Sequence, residues 1–142
     1  MNYQVLIIED EQDTAEAVQG ALELEDIDSD IAIDGIEGLE KFKGGNYDLI
    51  LLDLKMPKMS GEEVLKSIRK IDPFVDIVIY TNFQVFTDLK SLTNIGIDGF
   101  INKGAEADLK ELITMIKEKL NPLDENGLDT LINKTANDIC DE

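Results

Sequence analysis

Basic residues are scarce in this chain: 13 lysines and arginines stand against 31 aspartates and glutamates in 142 residues, a formal net charge of −18. Binding to DNA or RNA requires phosphates to be neutralised by Lys and Arg, so no direct nucleic-acid contact is expected. The same shortage argues against an anionic membrane surface. Long apolar runs are missing too, and no stretch reaches the ~18 residues of a membrane-spanning helix. The opening Met1-Asn2-Tyr3-Gln4 lacks the basic start and apolar core of a secretory leader. Cysteine occurs once, at Cys140, which excludes an internal disulfide and fits a reducing compartment. The expected location is the cytoplasm. A solvated acidic shell accounts for most of the negative charge.

What is present is enough apolar material, 43% of residues, for one ordinary core. Five apolar runs recur along the chain: Val5-Leu6-Ile7-Ile8, Ile31-Ala32-Ile33, Leu49-Ile50-Leu51-Leu52, Ile77-Val78-Ile79 and the weaker Gly99-Phe100-Ile101. The first, third and fourth are uninterrupted and rich in branched residues, as strands buried on both faces of a parallel sheet are. The other two are mixed with acids or glycine and suit sheet edges.

Between the runs the period becomes helical. Ala15, Val18, Ala21 and Leu22 form one stripe, and Asp13 with Glu16 gives it a start like a capping box. Ile36, Leu39 and Phe42 form a second, closed by Gly44-Gly45. Val64, Leu65 and Ile68 form a third that ends near Asp72-Pro73, and Val85, Phe86, Leu89 and Leu92 a fourth. The last runs through Leu109, Leu112, Ile113, Ile116 and Leu120, with acids at its start and lysines at its end as the helix dipole favours. The alternation predicts a doubly wound α/β domain, (βα)5, over residues 1–120, with a five-stranded parallel sheet in the flavodoxin-like order 2-1-3-4-5 and helices on both faces. After Leu120 the character changes. Asn121-Pro122 breaks the helix, and Leu128, Leu131, Ile132 and Ile139 could line one side of a short further helix. Residues 121–142 are read as an acidic extension; a loosely docked tail and a partner-binding helix both stay open.

In open α/β sheets, ligands bind beyond the carboxyl ends of the strands. Those ends carry Glu9, Asp10 and Glu11 after the first strand, Asp53 after the third, Thr81 after the fourth and Lys103 past the fifth. Strands one and three are neighbours in the expected order, so their acids converge. Two carboxylates ~4 Å apart repel by about 4 kcal/mol at an effective dielectric of 20. A cation or a shared proton relieves that repulsion, and hard oxygen ligands with an open shell suit Mg²⁺, for which Mn²⁺ can substitute. Asp53 can attack phosphorus as a carboxylate nucleophile, while the metal and Lys103 neutralise charge on the transferring oxygens. Thr81 offers a hydroxyl to a phosphoryl oxygen. Histidine is absent altogether, so a phosphohistidine donor must be another molecule.

With these residues in place the chain resembles a two-component response-regulator receiver domain, one of the CheY-like superfamily, over about residues 3–120. The matching stretches are Ile7-Ile8-Glu9-Asp10-Glu11, then Leu51-Leu52-Asp53-Leu54-Lys55-Met56-Pro57 with Gly61, then Ile79-Tyr80-Thr81, then Gly96-Ile97-Asp98-Gly99-Phe100-Ile101-Asn102-Lys103. Four motifs in this order at successive strand ends are specific where each alone is weak. The resemblance implies that Asp53 is the phosphoacceptor and that Glu9 and Asp10 belong to the acidic pocket. It implies that Asp10, Asp53 and the backbone carbonyl of Lys55 hold Mg²⁺. Thr81 and Phe100 would be a switch pair and Lys103 the phosphate-contacting lysine. The implied partners are a sensor histidine kinase or phosphotransfer protein and a downstream protein reached through the surface of the fourth helix, fifth strand and fifth helix. The implied state is a monomer or a phosphorylation-promoted dimer. Such a protein catalyses its own phosphorylation and dephosphorylation without turning over an external substrate. Phosphorylation adds about −1.5 to −2 charges, which shifts a two-state population rather than building a new fold.

Three positions depart from the family pattern. Gly104 follows Lys103 where proline is usual, Asn82 follows Thr81 where a small residue is usual, and Phe100 stands where many relatives have tyrosine. A receiver that is recognised without phosphate is the alternative reading, against which the intact Asp10, Asp53, Thr81 and Lys103 set argues. An aspartate-nucleophile phosphatase would need a second acid two residues after Asp53, and Lys55 stands there. A flavin carrier of this topology would need a phosphate loop free of the Glu9-Asp10-Glu11 acids. No output domain fits after residue 120, so the chain is either a stand-alone regulator or a piece of something longer.

Overall fold

The computed structural model describes residues 3–56, 58–81, 87–103 and 108–121. Strands and helices alternate: β1 (Gln4–Ile8), α1 (Gln12–Glu23), β2 (Asp28–Ala32), α2 (Gly35–Gly44), β3 (Leu49–Leu52), α3 (Gly61–Ile71), β4 (Asp76–Thr81), α4 (Thr87–Ile95), β5 (Gly99–Asn102) and α5 (Asp108–Leu120). The five strands form one parallel sheet in the order β2-β1-β3-β4-β5, as the alternation predicts. The three uninterrupted apolar runs are the central strands, and their residues from Val5 to Ile8, Leu49 to Leu52 and Ile77 to Ile79 are all buried. Strands buried on both faces cannot alternate apolar with polar residues, which is why these runs read as continuous.

The strand period of two divides the core into two layers. Val5, Ile7, Leu49, Leu51, Val78, Tyr80 and Ile101 face α1 and α5, where Ala15, Val18, Leu22, Leu112 and Ile116 meet them. Leu6, Ile8, Ile50, Leu52, Ile77 and Ile79 face the other way, against Phe42 of α2, Val64, Leu65 and Ile68 of α3 and Leu92 of α4. Each fully buried Leu or Ile contributes about 1.5–3 kcal/mol from area removed from water.

The structure corrects three local expectations. β2 spans Asp28–Ala32 rather than residues 31–33, and Ile33 is exposed beyond its end. Pairing with β1 draws in the polar Asp28, Ser29 and Asp30, because an edge strand needs a ladder partner more than an apolar sequence. α1 starts at Gln12 with Glu11 at the N-cap and no side-chain cap, so Asp13 lies inside the first turn, where it favours the dipole. A true capping box forms instead at Ser60 and Glu63, opening α3. In α2, Ile36 is exposed and the buried positions are Gly35, Gly38 and Phe42. A Cβ on Gly38 would lie 2.6 Å from Ile8 Cδ1, so glycine is what lets α2 approach β1. Of the fourth stripe, Val85 and Phe86 lie outside the described residues, as does the extension from residue 122 with Leu128, Leu131, Ile132, Ile139 and Cys140. Among the described residues no helix is long and apolar enough to cross a membrane.

Candidate functional site

The carboxyl ends of β1, β3, β4 and β5 are held level by backbone hydrogen bonds that continue the ladders. Glu9 N–H donates to Ala32 O (2.9 Å), Asp53 N–H to Ile8 O (3.0 Å) and Lys103 N–H to Thr81 O (2.9 Å). Glu9, Asp53 and Lys103 each stand two residues beyond an α1/α5-facing position, namely Ile7, Leu51 and Ile101, so the pleat turns all three to the same side. Glu9 and Asp53 are buried, at 3% and 5% exposure, whereas Asp10 is exposed. These three residues offer carboxylate oxygens that all lie within 4.8 Å of one another.

Asp53 is the hub. Its Oδ1 accepts from Thr81 Oγ1 (2.7 Å) and from Lys55 N–H (3.1 Å), and its Oδ2 lies 3.3 Å from Lys103 Nζ. The Lys103 ammonium also donates to Glu9 Oε1 and lies 3.4 Å from Glu11 Oε1. Glu9 Oε2 accepts from Glu11 N–H (3.2 Å). Burial, reinforced by the Asp53 carboxyl beside it, pushes Glu9 up to about 8 despite the opposing pull of Lys103. Burial alone would draw the Lys103 ammonium down, but Glu9 and Asp53 outweigh it and hold the lysine above its ordinary value. A cavity of about 250 Å³, lined by Asp10, Glu11, Asp53, Lys55, Thr81 and Lys103, opens over this group.

Local structure explains the placement of Asp53. α3 begins directly beneath it, with Gly61 N–H donating to Leu54 O (3.0 Å). A Cβ on Gly61 would come within 2.6 Å of Asp53 O and 2.5 Å of Leu54 Cα, so any side chain there would displace the backbone that carries the carboxylate. The glycine is needed for close approach.

The structure thus brings Glu9, Asp10, Asp53, Lys55, Thr81 and Lys103 to one pocket. Phe100 stands apart: it pairs with Ile79 in the ladder and packs half-buried into the core facing α2, α3 and α4. Pro57, Asn82, Phe83 and Gly104 lie outside the described residues. Glu11, read from the sequence as one of the strand-end acids, reaches Lys103. One contributor was given no role from the sequence: the Tyr80 ring lies under the same ammonium with its centroid 5.3 Å from Nζ. Only the phase of Tyr80 on its strand could have signalled this, and a buried strand aromatic reads first as core. Chemically, the donor set is all oxygen, close enough to share one ion and open to solvent on one side, which fits a hard divalent cation.

The family model "Response regulator receiver domain" matches residues 5–117, and the chain belongs to that family. It is 39% identical over 113 residues to the transcriptional regulatory protein DltR of Streptococcus agalactiae, covering 80% of this chain and 50% of that protein. It is 38% identical over 116 residues to the response regulator ArlR of Staphylococcus saprophyticus, covering 82% and 51%. The chain therefore spans about half the length of the curated relatives it matches. Among solved structures, a CheY-like receiver domain protein from Methanospirillum hungatei superposes with a TM-score of 0.80 at 28% identity, covering 89% of this chain and all of that one. The response regulator TrrA from Thermotoga maritima, in complex with Mg²⁺ and BeF, gives 0.74 at 33% identity, covering 83% and 99%.

Proposed function

We propose that this chain is a phosphorylation switch of a two-component phosphorelay, with residues 1–120 as the receiver and Asp53 as the phosphoacceptor. The observation that carries the reading is the convergence on Asp53 of a hydroxyl, a backbone N–H, an ammonium and two further carboxyl groups, all within one open pocket. Mg²⁺ fits Asp10, Asp53 and the Lys55 backbone carbonyl, with Glu9 as part of the acidic wall; when bound, it supplies positive charge to the transferring oxygens. A relative solved with Mg²⁺ and BeF supports that choice.

In the forward step a carboxylate oxygen of Asp53 attacks phosphorus on a phosphohistidine of a sensor kinase or phosphotransfer protein. The new O–P bond replaces the N–P bond, and the leaving imidazole keeps the electron pair and takes a proton from solvent. Lys103 stays in the pocket to meet the oxygen charge. Thr81, now donating to Asp53, turns its hydroxyl to a phosphoryl oxygen, and Phe100 moves towards the space released. The surface of α4, β5 and α5 then presents a different face to a downstream protein in the cytoplasm. Hydrolysis resets the switch: water attacks phosphorus, the bond between Asp53 and phosphorus breaks, and the Asp53 carboxylate returns with inorganic phosphate, which keeps the water's protons or passes them to solvent. Residues 121–142 form an extension whose role this reading does not require.

The test is intact mass after incubation with Mg²⁺ and acetyl phosphate. A gain of one phosphoryl group is expected, absent in Asp53→Asn and absent without Mg²⁺. No gain, or an equal gain in the variant, would reject Asp53 as the acceptor.

A further inference from the structure

Lys103 is surrounded by carboxylates that the proposed chemistry itself occupies. Glu9 and Asp53 hold the ammonium in this structure, yet Asp53 is the oxygen that becomes esterified and both acids face the cation site. Gly104 follows the lysine in sequence and places no restriction on the backbone. Lysine has a flexible four-carbon stem and no preferred fork geometry, so contacts other than those to Glu9 and Asp53 have to keep the ammonium in place while these two acids are engaged.

From this we propose that Tyr80 is a positioning residue for Lys103, with its ring face holding the ammonium at the pocket wall. The strand register supports it. Tyr80 pairs with Ile101 across β4 and β5, and Lys103 is the next residue on the face that Ile101 shares with Tyr80. The pleat therefore sets the lysine one step above the ring. The ring is 5% exposed and locked among the residues facing α1 and α5, and Nζ lies 5.3 Å from its centroid, within cation–π reach. The side chain of Lys103 is itself only 10% exposed, and a desolvated cation gains more from a π face than an exposed one does. Neither metal nor phosphoryl group competes for the ring, so, with the exposed Glu11 whose Oε1 lies 3.4 Å from Nζ, it is a partner of Lys103 that persists through the cycle. The inference rests on the proposed phosphoryl chemistry for its consequence, but not for the geometry.

Two measurements on Tyr80→Phe and Tyr80→Leu separate those parts. Reductive methylation of the metal-free protein, read by peptide mass, reports how firmly Lys103 is held. Lys103 should react several-fold faster in Tyr80→Leu than in the parent, with Lys66 and Lys117 unchanged and Tyr80→Phe like the parent. Initial phosphorylation by acetyl phosphate at saturating Mg²⁺ should fall about two- to five-fold in Tyr80→Leu and stay at the parent rate in Tyr80→Phe. In a Lys103→Met background the leucine substitution should cause no further loss, because the ring then has no ammonium to hold. An unchanged Lys103 methylation rate in Tyr80→Leu would overturn the inference, as would equal damage by Tyr80→Phe. The same rate loss with and without Lys103 would reduce Tyr80 to a core residue and overturn it too. If the parent takes up no phosphoryl group, the proposed function fails, and methylation alone decides the role of Tyr80.

Discussion

Arg69 and Lys103 are both cations drawn below the surface, with side chains 13% and 10% exposed, and they sit in contrasting surroundings. The Arg69 fork meets mostly neutral acceptors. Nε donates to Gly96 O (2.9 Å), Nη1 to Val75 O (2.6 Å) and Nη2 to Asp98 Oδ2 (2.9 Å), and Asp98 Oδ2 also accepts from Ile77 N–H (2.8 Å). Its one positive charge faces one carboxylate, and its donors are matched to fixed carbonyls. The result ties the end of α3 to the turns that lead into β4 and β5. Lys103, by contrast, faces Glu9, Glu11 and Asp53 together, and one of these acids has to keep its proton to live there. A matched charge holds loops in place; a cluster with more carboxylate than cation favours the arrival of a further cation.

That contrast can be broken at either end. Arg69→Ala should cost about 3 kcal/mol, because it takes the positive charge from Asp98, which keeps only the Ile77 N–H, and the guanidinium donors from the Gly96 and Val75 carbonyls. Urea unfolding measures this, and Arg69→Lys should recover only part of it, since an ammonium cannot reproduce the fork. A loss below ~1 kcal/mol would mean that water replaces the arginine and that the network is incidental. Lys103→Met should act on affinity instead. With its competing positive charge gone, the acidic cluster should bind Mg²⁺ about ten-fold more tightly by calorimetric titration. Weaker binding would show that the lysine organises the site more than it competes with the metal.

The effect of pH sharpens the comparison further. The folded state holds Glu9 at about 8 against an ordinary 4.5, so the folded protein keeps a proton that the unfolded chain releases. The resulting stabilisation is fully present below 4.5 and is lost as pH rises through about 8. In metal-free buffer the melting temperature should therefore decline across that window, and Glu9→Gln should flatten the decline. Arg69→Ala should lower the whole curve without changing its slope. A slope that survives in Glu9→Gln would move the proton to another group.

Much of this was legible in the sequence, for identifiable reasons. The parallel sheet and its helical layers followed from strands alternating with helices, its order from the common flavodoxin-like arrangement, and the site from acids placed directly after Ile8 and Leu52. Residues at strand ends are set by the ladder, so their position in sequence becomes position in space. The misreadings fall where tertiary contact overrides local pattern. β2 is held by β1 although Asp28, Ser29 and Asp30 are polar, and Gly38 rather than Ile36 faces the sheet because the approach to Ile8 is too close for a side chain. The Arg69 network joins residues nearly thirty positions apart, a distance across which no periodicity speaks. Tyr80 was hidden for a related reason: in a strand buried on both faces, sequence does not tell which face carries the ring or what lies above it.

The central claim is that Asp53, and no neighbouring acid, carries the phosphoryl group. Borohydride reduction after treatment with Mg²⁺ and acetyl phosphate tests it most directly, because hydride converts an aspartyl phosphate to homoserine and releases phosphate. Peptide mass mapping should find homoserine at position 53, dependent on Mg²⁺ and absent when the donor is omitted. Homoserine at position 10, or a phosphorylated protein with position 53 unchanged, would contradict the account.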